Sequence, residues 1–549
     1  MKRITRPGCA LAAILSAGMS GIWAQENGGL ANRKSEQLGE VNFLVSCDEA
    51  AQKEFNHAMA LFHSFWFGPA IESFQKVFER DPACAMAFWG IAMMSLGNPF
   101  SWPANPEAMQ AGEAALAEAE RVGAKTERER GYIAALGVLF KDWENTEYRQ
   151  RAVGFEEAMG EVAARYPQDD EAQILYALIL DATALPSDKT YANQRKAAGI
   201  LEPLFKKYPD HPGAAHYLIH TYDYAELAEK GLAPARAYAR IAPSAPHALH
   251  MPSHIFSRLG LWREMVESNR ASYLAAVSER KTRRSGTVTY GLLHTMDYLV
   301  FGYLQQAQDK AAKDVVAEAA AIKTAGVENL PAAYALAAIP ARYALERGDW
   351  KAAAALELRP PGDLAWDRFP QAEAVSVYAR GLGAARAGDV AAARKALERL
   401  QALKDTMTAA KIQYWPDQAD FQIKALHAWI ALGENRKDAA VQLMREATES
   451  EEASDKLPVT PGSVVPSREL LGEMLLAIDQ PAQALIEFER SLMRDPNRFR
   501  AIYCAASTAE ATGDRKAAID YYSKLQTLTA DHDTERPELA HAKAFLAMQ

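Results

Sequence analysis

The sequence has few cysteines and lacks the short motifs that identify the common enzyme classes. Four cysteines occur in 549 residues, which excludes a dense disulfide framework. There is no glycine-rich phosphate loop, no G-x-S-x-G nucleophile turn and no H-E-x-x-H zinc-protease helix. Beyond the first 24 residues no apolar run approaches the roughly 20 residues that span a bilayer. The sequence therefore predicts neither a particular reaction nor a membrane span.

The net charge of the chain also argues against a nucleic-acid or anionic-lipid partner. The net charge is −9 and is spread along the chain without a compact Lys/Arg cluster. A surface of that sign repels phosphate backbones and anionic headgroups. We therefore expect no nucleic-acid partner.

The N-terminus is typical of a processing signal. Lys2, Arg3 and Arg6 precede a small and apolar run, and Ala24 offers a signal-peptidase site. We predict a signal peptide over residues 1–24, a leader segment over 25–45 and a mature protein that is periplasmic or secreted.

Three cysteines remain after that cleavage, namely Cys47, Cys84 and Cys504. In an oxidising compartment Cys47 and Cys84 could form a disulfide that staples the first helical hairpin to the next. Three buried thiols are the alternative, because free cysteine packs as a small hydrophobic residue. The sequence leaves both open.

A repeat with a period near 34 residues organises the rest of the chain. The tetratricopeptide pattern places small residues at positions 8 and 20, an aromatic at 24 and proline at 32. Three units match it, and their key residues are Ala58, Ala70, Phe74 and Pro82; Gly472, Ala484, Phe488 and Pro496; and Ala506, Ala518 and Tyr522. The small residues let paired helices cross closely, and the aromatic fills the gap between them.

Weaker copies continue through the middle of the chain, and no β-type alternation appears. Gly-Asp or Gly-Glu pairs at 348, 388, 433 and 513 are predicted to end first helices. The sequence predicts an all-α tetratricopeptide-like solenoid of about a dozen or more hairpins. We divide it into an N-terminal solenoid (46–310), degenerate repeats (311–450), a loop or hinge (451–466) and C-terminal repeats (467–549). Another proline-rich stretch, 98–106, is predicted to be a long ordered loop.

Histidines concentrate in one part of this frame. Six of the 12 fall between residues 211 and 262. His216 and His220 are four apart, as are His250 and His254, and His294 lies about one repeat further on. Residues four apart share a helix face, and first helices of successive repeats line the concave wall of such a solenoid. We predict these five histidines as ligands of zinc, copper, iron or manganese.

Three further residues are predicted to orient those imidazoles from a second layer: Asp223, Asp297 and His247. Pro252 lies between His250 and His254 and is expected to kink the helix that carries them. The alternative is that the histidines only pack between helices and hydrogen-bond to tyrosines or carbonyls. His211, just before Pro212, is predicted to be a helix-entry residue.

The stretches HPGAAHYLIHTYD (211–223) and PHALHMPSHIFSRLGLW (246–262) resemble the signature of a family of exported bacterial tetratricopeptide-repeat proteins. The likeness covers roughly residues 42–310 and includes HTMDYLVFGYLQ (294–305). It implies the fold and export, and no reaction. A proline expected soon after Asp223 is missing.

Two functions are compatible with this interpretation. The first, which the sequence favours, is a scaffold whose concave groove binds a protein or peptide partner. The second is a metal-binding protein or metalloenzyme that uses the histidine cluster.

Overall fold

The computed structural model describes residues 36–548, apart from 284–288, 324–328 and 362–363. Within these ranges the chain is helical and contains no β-strand. The predicted signal peptide and residues 25–35 of the leader lie outside the described residues. None of the described helices combines the length and apolar character that crossing a bilayer requires.

The helices follow one another along the chain with short connections. The first eight are α1 (Glu49–His63), α2 (Phe67–Arg80), α3 (Ala85–Ser95), α4 (Pro106–Val122), α5 (Glu127–Phe140), α6 (Tyr148–Arg165), α7 (Asp170–Ala182) and α8 (Ala192–Lys207). The next nine are α9 (Pro212–Thr221), α10 (Leu232–Ile241), α11 (Pro246–His250), α12 (Pro252–Arg258), α13 (Trp262–Arg283), α14 (Tyr290–Gln305), α15 (Asp309–Ala320), α16 (Leu330–Glu346) and α17 (Trp350–Ala354). The last nine are α18 (Pro370–Arg386), α19 (Val390–Ala409), α20 (Trp415–Gly433), α21 (Lys437–Glu452), α22 (Ser467–Ala477), α23 (Pro481–Arg494), α24 (Phe499–Thr512), α25 (Arg515–Leu528) and α26 (Pro537–Ala547).

Successive helices pack as hairpins, and each hairpin packs on the next. This confirms the prediction of an all-α, tetratricopeptide-like solenoid. The repeat positions identified in the sequence are in the core: Ala58, Ala70 and Phe74 are buried in the first hairpin. In the hairpin of α22 and α23, the Phe488 ring lies so close to Gly472 that a Cβ there would stand 2.6 Å from it.

The Gly-Asp turns end one helix and begin the next. Gly388 ends α18 with a left-handed φ of 88°, and the Asp389 carboxylate then accepts the Ala392 N–H at the start of α19. The turn after Gly433 differs, because Asn435 takes the left-handed conformation there (φ 61°).

The described part of the leader packs against the rest of the chain. Residues 36–45 form no helix, but Phe43 is fully buried and packs edge-on against Phe55 and Trp89. The Glu40 N–H also donates to the Asp210 carbonyl at 2.9 Å. This segment therefore crosses from the first repeat to the start of α9.

A Cys47–Cys84 disulfide joins the start of α1 to the start of α3. Cys504 remains a free thiol. Of the two alternatives that the sequence left open, the structure contains the disulfide.

The C-terminal repeats return to the middle of the solenoid. The Trp262 indole N–H donates to the Asn497 carbonyl at 2.7 Å, and the Asn497 amide donates to the Gly260 carbonyl at 3.1 Å. Further along, Arg536 forms a buried ion pair with Asp309. The C-terminal repeats therefore contact the middle repeats at the turns that precede α13 and α15.

We predict opposite effects for two Gly→Ala substitutions. Gly472→Ala forces a methyl group against the Phe488 ring and should destabilise the fold by about 1–3 kcal/mol through overpacking. Gly199→Ala lies on the exposed side of α8 with nothing within 4 Å and should stabilise it by about 0.5–1 kcal/mol. Urea-unfolding midpoints of the two variants measure this. Equal shifts would contradict the close helix crossing at Gly472.

Candidate metal centre

Four inner helices bring the clustered histidines together. His216 and His220 lie on α9, His247 and His250 on α11, His254 on α12 and His294 on α14. α9, α14 and the α11–α12 pair are first helices of successive hairpins, so their inner faces meet. The expected break at Pro252 is present: α11 ends at His250 and α12 begins at Pro252, yet the two imidazoles stay 5.0 Å apart between ring centroids.

The six imidazoles form two adjacent trios. In each trio one nitrogen from each ring lies within 4.8 Å of the others. We call His216, His220 and His247 the N-terminal trio, and His250, His254 and His294 the C-terminal trio.

In the C-terminal trio the protonation of two rings is fixed by their neighbours. His254 Nδ1 lies 2.9 Å from the Asp223 carboxylate, which can only accept a hydrogen bond. His250 Nδ1 lies 2.7 Å from Asn269 Oδ1, whose amide nitrogen in turn donates to the Met265 carbonyl at 2.8 Å. Each Nδ1 therefore carries the proton.

As a consequence, two lone pairs face each other. The Nε2 atoms of His250 and His254 are 3.0 Å apart, and both are acceptors when both Nδ1 atoms donate. A neutral pair of this kind has no proton to place between the nitrogens. Two nitrogens that share one tetrahedral zinc ion at about 2.0–2.1 Å stand about 3.3 Å apart, close to the spacing of this pair.

His294 completes the C-terminal trio from α14. Its ring centroid lies 4.6 Å from that of His250. Its Nδ1 is buried and meets no hydrogen-bond partner among the described residues.

The N-terminal trio has a related arrangement. His216 Nδ1 donates to the His63 carbonyl at 2.6 Å, so its Nε2 is a lone pair. That Nε2 lies 3.1 Å from Nε2 of His247. In this trio His247 can carry its proton on Nε2 and donate it to His216 Nε2, because no described acceptor holds the proton on Nδ1 of His247.

His220 is the least satisfied member of the cluster. Neither of its ring nitrogens meets a hydrogen-bond partner among the described residues, and both are buried. Its ring stacks on Phe100 with centroids 3.9 Å apart. Phe100 belongs to the 98–106 loop, so this proline-rich loop reaches into the interior and covers one side of the cluster.

Asp223 is the charged anchor of the centre. Its Oδ1 accepts from Arg258 Nε at 2.8 Å, and both of its oxygens contact Lys456 Nζ at 2.9–3.0 Å. Burial opposes the ionised carboxylate, but Lys456, Arg258 and His254 together hold the pKa of Asp223 well below its usual range. Burial and Arg258 lower the pKa of Lys456 to about 8.

Lys456 belongs to the predicted loop or hinge, 451–466, whose first two residues are in fact the end of α21 and whose remainder is the segment 453–466. It contains no helix, but it is anchored rather than free. Arg342 on α16 contacts the Thr460 hydroxyl and the Gly462 carbonyl, each at 2.6 Å. Asp455 pairs with Lys189 at 2.7 Å. Through Lys456 the 453–466 segment is therefore held against Asp223, the residue that binds His254.

Two residues predicted to orient imidazoles lie elsewhere than expected. Asp297 contacts no histidine among the described residues, and its carboxylate is bound by Arg342 at 2.7 Å instead. It acts on the site through Arg342 and the 453–466 segment. His247 stands within the N-terminal trio as a direct neighbour of His216, whereas Asp223 holds an imidazole as expected.

A third group, His63, Glu171 and His211, has a similar composition but is fully partnered. His211 Nδ1 accepts the Ala214 N–H at 3.2 Å, which makes it the helix-entry residue that the sequence predicted. Its Nε2 then donates to Glu171 at 2.9 Å. His63 bridges Glu171 at 3.0 Å and the Tyr217 hydroxyl at 2.8 Å.

Several members of the centre carry no motif in the sequence. Asn269 and Lys456 come from α13 and the 453–466 segment, and Phe100 comes from a loop more than a hundred residues before His220. The only sequence signal for Phe100 is that its loop contains three prolines. Tertiary packing alone brings these residues to the histidines.

Comparison with known proteins adds little to this geometry. No family model and no curated protein matches the sequence. Among solved structures, a human IFIT1 dimer with m7Gppp-AAAA is 12% identical with a TM-score of 0.38, covering 89% of this chain and 96% of that one. A tetratricopeptide repeat protein from Parabacteroides merdae is 13% identical with a TM-score of 0.29, covering 56% and 98%. Likenesses this distant carry no argument about what this chain binds.

The buried imidazoles predict a pH-dependent stability for the metal-free protein. Burial first, and then neighbouring imidazoles, hold the pKa of five of them well below the ordinary value: His216, His220, His247, His250 and His294. Below about pH 6.5 the unfolded chain takes up protons that the folded chain does not. The free energy of unfolding should therefore decrease as the pH is lowered through this range, by about 1.4 kcal/mol per pH unit for each such histidine.

Urea-unfolding midpoints between pH 7.5 and 5.5, with a chelator present, measure this slope. His294→Phe should make the slope shallower. Phe545→Leu, at a buried position outside the cluster that carries no titratable group, should lower the midpoint at every pH and leave the slope unchanged. A wild-type midpoint that does not move with pH would contradict the assignment of neutral buried imidazoles.

Proposed function

We propose that this protein binds a transition-metal ion at the C-terminal trio, His250, His254 and His294. Asp223 and Asn269 orient two of the ligands through their Nδ1 atoms. Hydrogen bonds of this kind fix the tautomer of metal-binding histidines and raise the basicity of the coordinating nitrogen. Neutral imidazole suits zinc, copper and iron.

The observation that carries the proposal is the 3.0 Å contact between the Nε2 atoms of His250 and His254. Both rings donate through Nδ1, so the contact is unfavourable without a cation. Burial keeps the pKa of each ring below its ordinary value, which disfavours a proton in that role. A metal ion removes the repulsion between the two Nε2 atoms because it accepts both lone pairs at once.

The surroundings support an enclosed ion more than an extended ligand. Phe100 stacks on His220, and the 453–466 segment reaches Asp223, the partner of His254, through Lys456. A peptide in the concave groove would have to displace one of them at this position. A protein or peptide partner elsewhere on the solenoid stays a prediction, as does the absence of a nucleic-acid partner.

Elemental analysis of untagged protein tests the metal. We expect at least one equivalent of zinc, copper, iron or manganese per wild-type chain, because the paired lone pairs hold a cation tightly. His254→Phe keeps the aromatic volume but removes one donor, and it should lower the metal content by about one equivalent per chain.

His211→Asn is the matched control for that experiment. It removes a buried histidine from the fully partnered third group, and asparagine can still cap α9. This variant should retain the wild-type metal content. Metal-free wild-type protein, or equal loss of metal in the control, would contradict the proposal.

We also propose that the chain is exported to the periplasm or secreted. The basic and apolar composition of residues 1–24 supports this, and so does the Cys47–Cys84 disulfide, because such bonds persist mainly in oxidising compartments.

Mass spectrometry of the protein from its native cells tests export. We expect the mature chain to begin at Gln25 and, after denaturation without reductant, to react with one equivalent of thiol reagent at Cys504. After reduction, Cys47 and Cys84 should react as well. A retained N-terminus, or three reactive thiols before reduction, would count against export.

A further inference from the structure

We propose that the N-terminal trio, His216, His220 and His247, binds a second metal ion beside the first, and that the two ions are copper(I). The proposal rests on the metal site assigned above to the C-terminal trio. It extends that site from one ion to a pair held by six imidazoles.

The first argument is the state of His220. A buried polar group without a hydrogen bond costs about 1–3 kcal/mol, and both nitrogens of His220 are buried without a partner among the described residues. A structural histidine would be expected to resemble His211, whose nitrogens both have partners. Metal coordination gives one nitrogen of His220 a partner where no described protein atom does.

The second argument is that the other two members of the trio already point toward a common ligand. His216 Nδ1 donates to the His63 carbonyl, which directs its Nε2 lone pair at His247. The His216 ring centroid lies 4.9 Å from those of both His220 and His247. Three donors from two helices therefore surround one point.

The third argument is the closeness of the trios. The ring centroids of His220 and His254 are 5.9 Å apart, and those of His247 and His250 are 6.1 Å apart. Two members of a single trio, His254 and His294, are separated by a similar 6.0 Å. The six rings thus form one continuous cluster, and two ions within it would be neighbours.

The charge around the two trios favours monovalent over divalent ions. Neither trio includes a carboxylate ligand. The adjacent ionic group, Asp223 with Arg258 and Lys456, already has a net charge of +1. The cost of burying an ion grows with the square of its charge, so two divalent ions without an anionic ligand are strongly disfavoured.

Copper(I) fits these conditions best. It is monovalent, it accepts imidazole nitrogen, and three ligands can complete its coordination. Zinc held by three histidines takes water or hydroxide as its fourth ligand, and an anion such as hydroxide would be needed to offset its second charge. The paired trios with neutral donors therefore favour a reduced copper pair.

Anaerobic titration of metal-free protein with copper(I), buffered by a competing chelator, tests the pair. Wild-type protein should bind two copper(I) ions per chain. His220→Phe keeps the stack on Phe100 and should bind one, and His294→Phe should also bind one. The control His211→Asn should bind two.

X-ray absorption at the copper edge of the wild-type protein gives a measurement that needs no variant to fold. It should show about three imidazole nitrogens per copper and scattering from a second copper atom. Excess zinc(II) under reducing conditions should not displace the copper.

The possible results separate the two proposals. One copper per chain, lost in His294→Phe and kept in His220→Phe, would overturn the pair and leave the single site. Displacement of copper by zinc would overturn the assignment to copper(I). A wild-type protein that binds no copper(I) and contains no other metal would overturn both proposals.

Discussion

The centre of this protein depends on the buried carboxylate of Asp223. A carboxylate removed from water must be paired and hydrogen-bonded, or it gives up its charge. Asp223 meets that condition with Arg258 from α12, Lys456 from the 453–466 segment and the Nδ1–H of His254. One residue thereby ties the end of α9 to two segments that are distant in sequence. It also fixes which nitrogen of His254 is free to bind a ligand.

The closure of the solenoid turns this anchor into an enclosed site. A tetratricopeptide array normally presents its first helices to an open groove. In this chain the Trp262 indole N–H donates to the Asn497 carbonyl, so the last repeats contact the middle ones. Arg342 then holds the 453–466 segment across the interior through Thr460 and Gly462. The inner helices that would line a peptide groove in an open solenoid are in contact with that segment in this one, through Arg342 on α16 and through Asp223 after α9.

The sequence predicted the repeat frame well because the frame follows local steric rules. Small residues such as Ala58 and Gly472 must lie where helices cross, and aromatic residues such as Phe488 must fill the gap beside them. These rules act within about 34 residues, so they are recognisable in one repeat. The histidine cluster was recognisable for the same reason, because His216 and His220 share a helix face.

The partners of the histidines could not be predicted, because they come from distant parts of the chain. Asn269 fixes the tautomer of His250 from the following helix, and Lys456 reaches Asp223 from more than two hundred residues away.

The contrast between the clusters shows what distinguishes a binding site from packing. The group of His63, Glu171 and His211 is as buried and as rich in donors as either trio. Its proton positions are mutually consistent, because each imidazole N–H meets a carboxylate oxygen and each lone pair meets a donor. While both rings are neutral, the pair His250 and His254 cannot be made consistent in this way, since two fixed donors leave two lone pairs in contact. Burial is therefore shared by the three groups, and hydrogen bonding separates them: every ring nitrogen of the third group has a partner, whereas His220 has none among the described residues and the neutral pair His250 and His254 brings two lone pairs together.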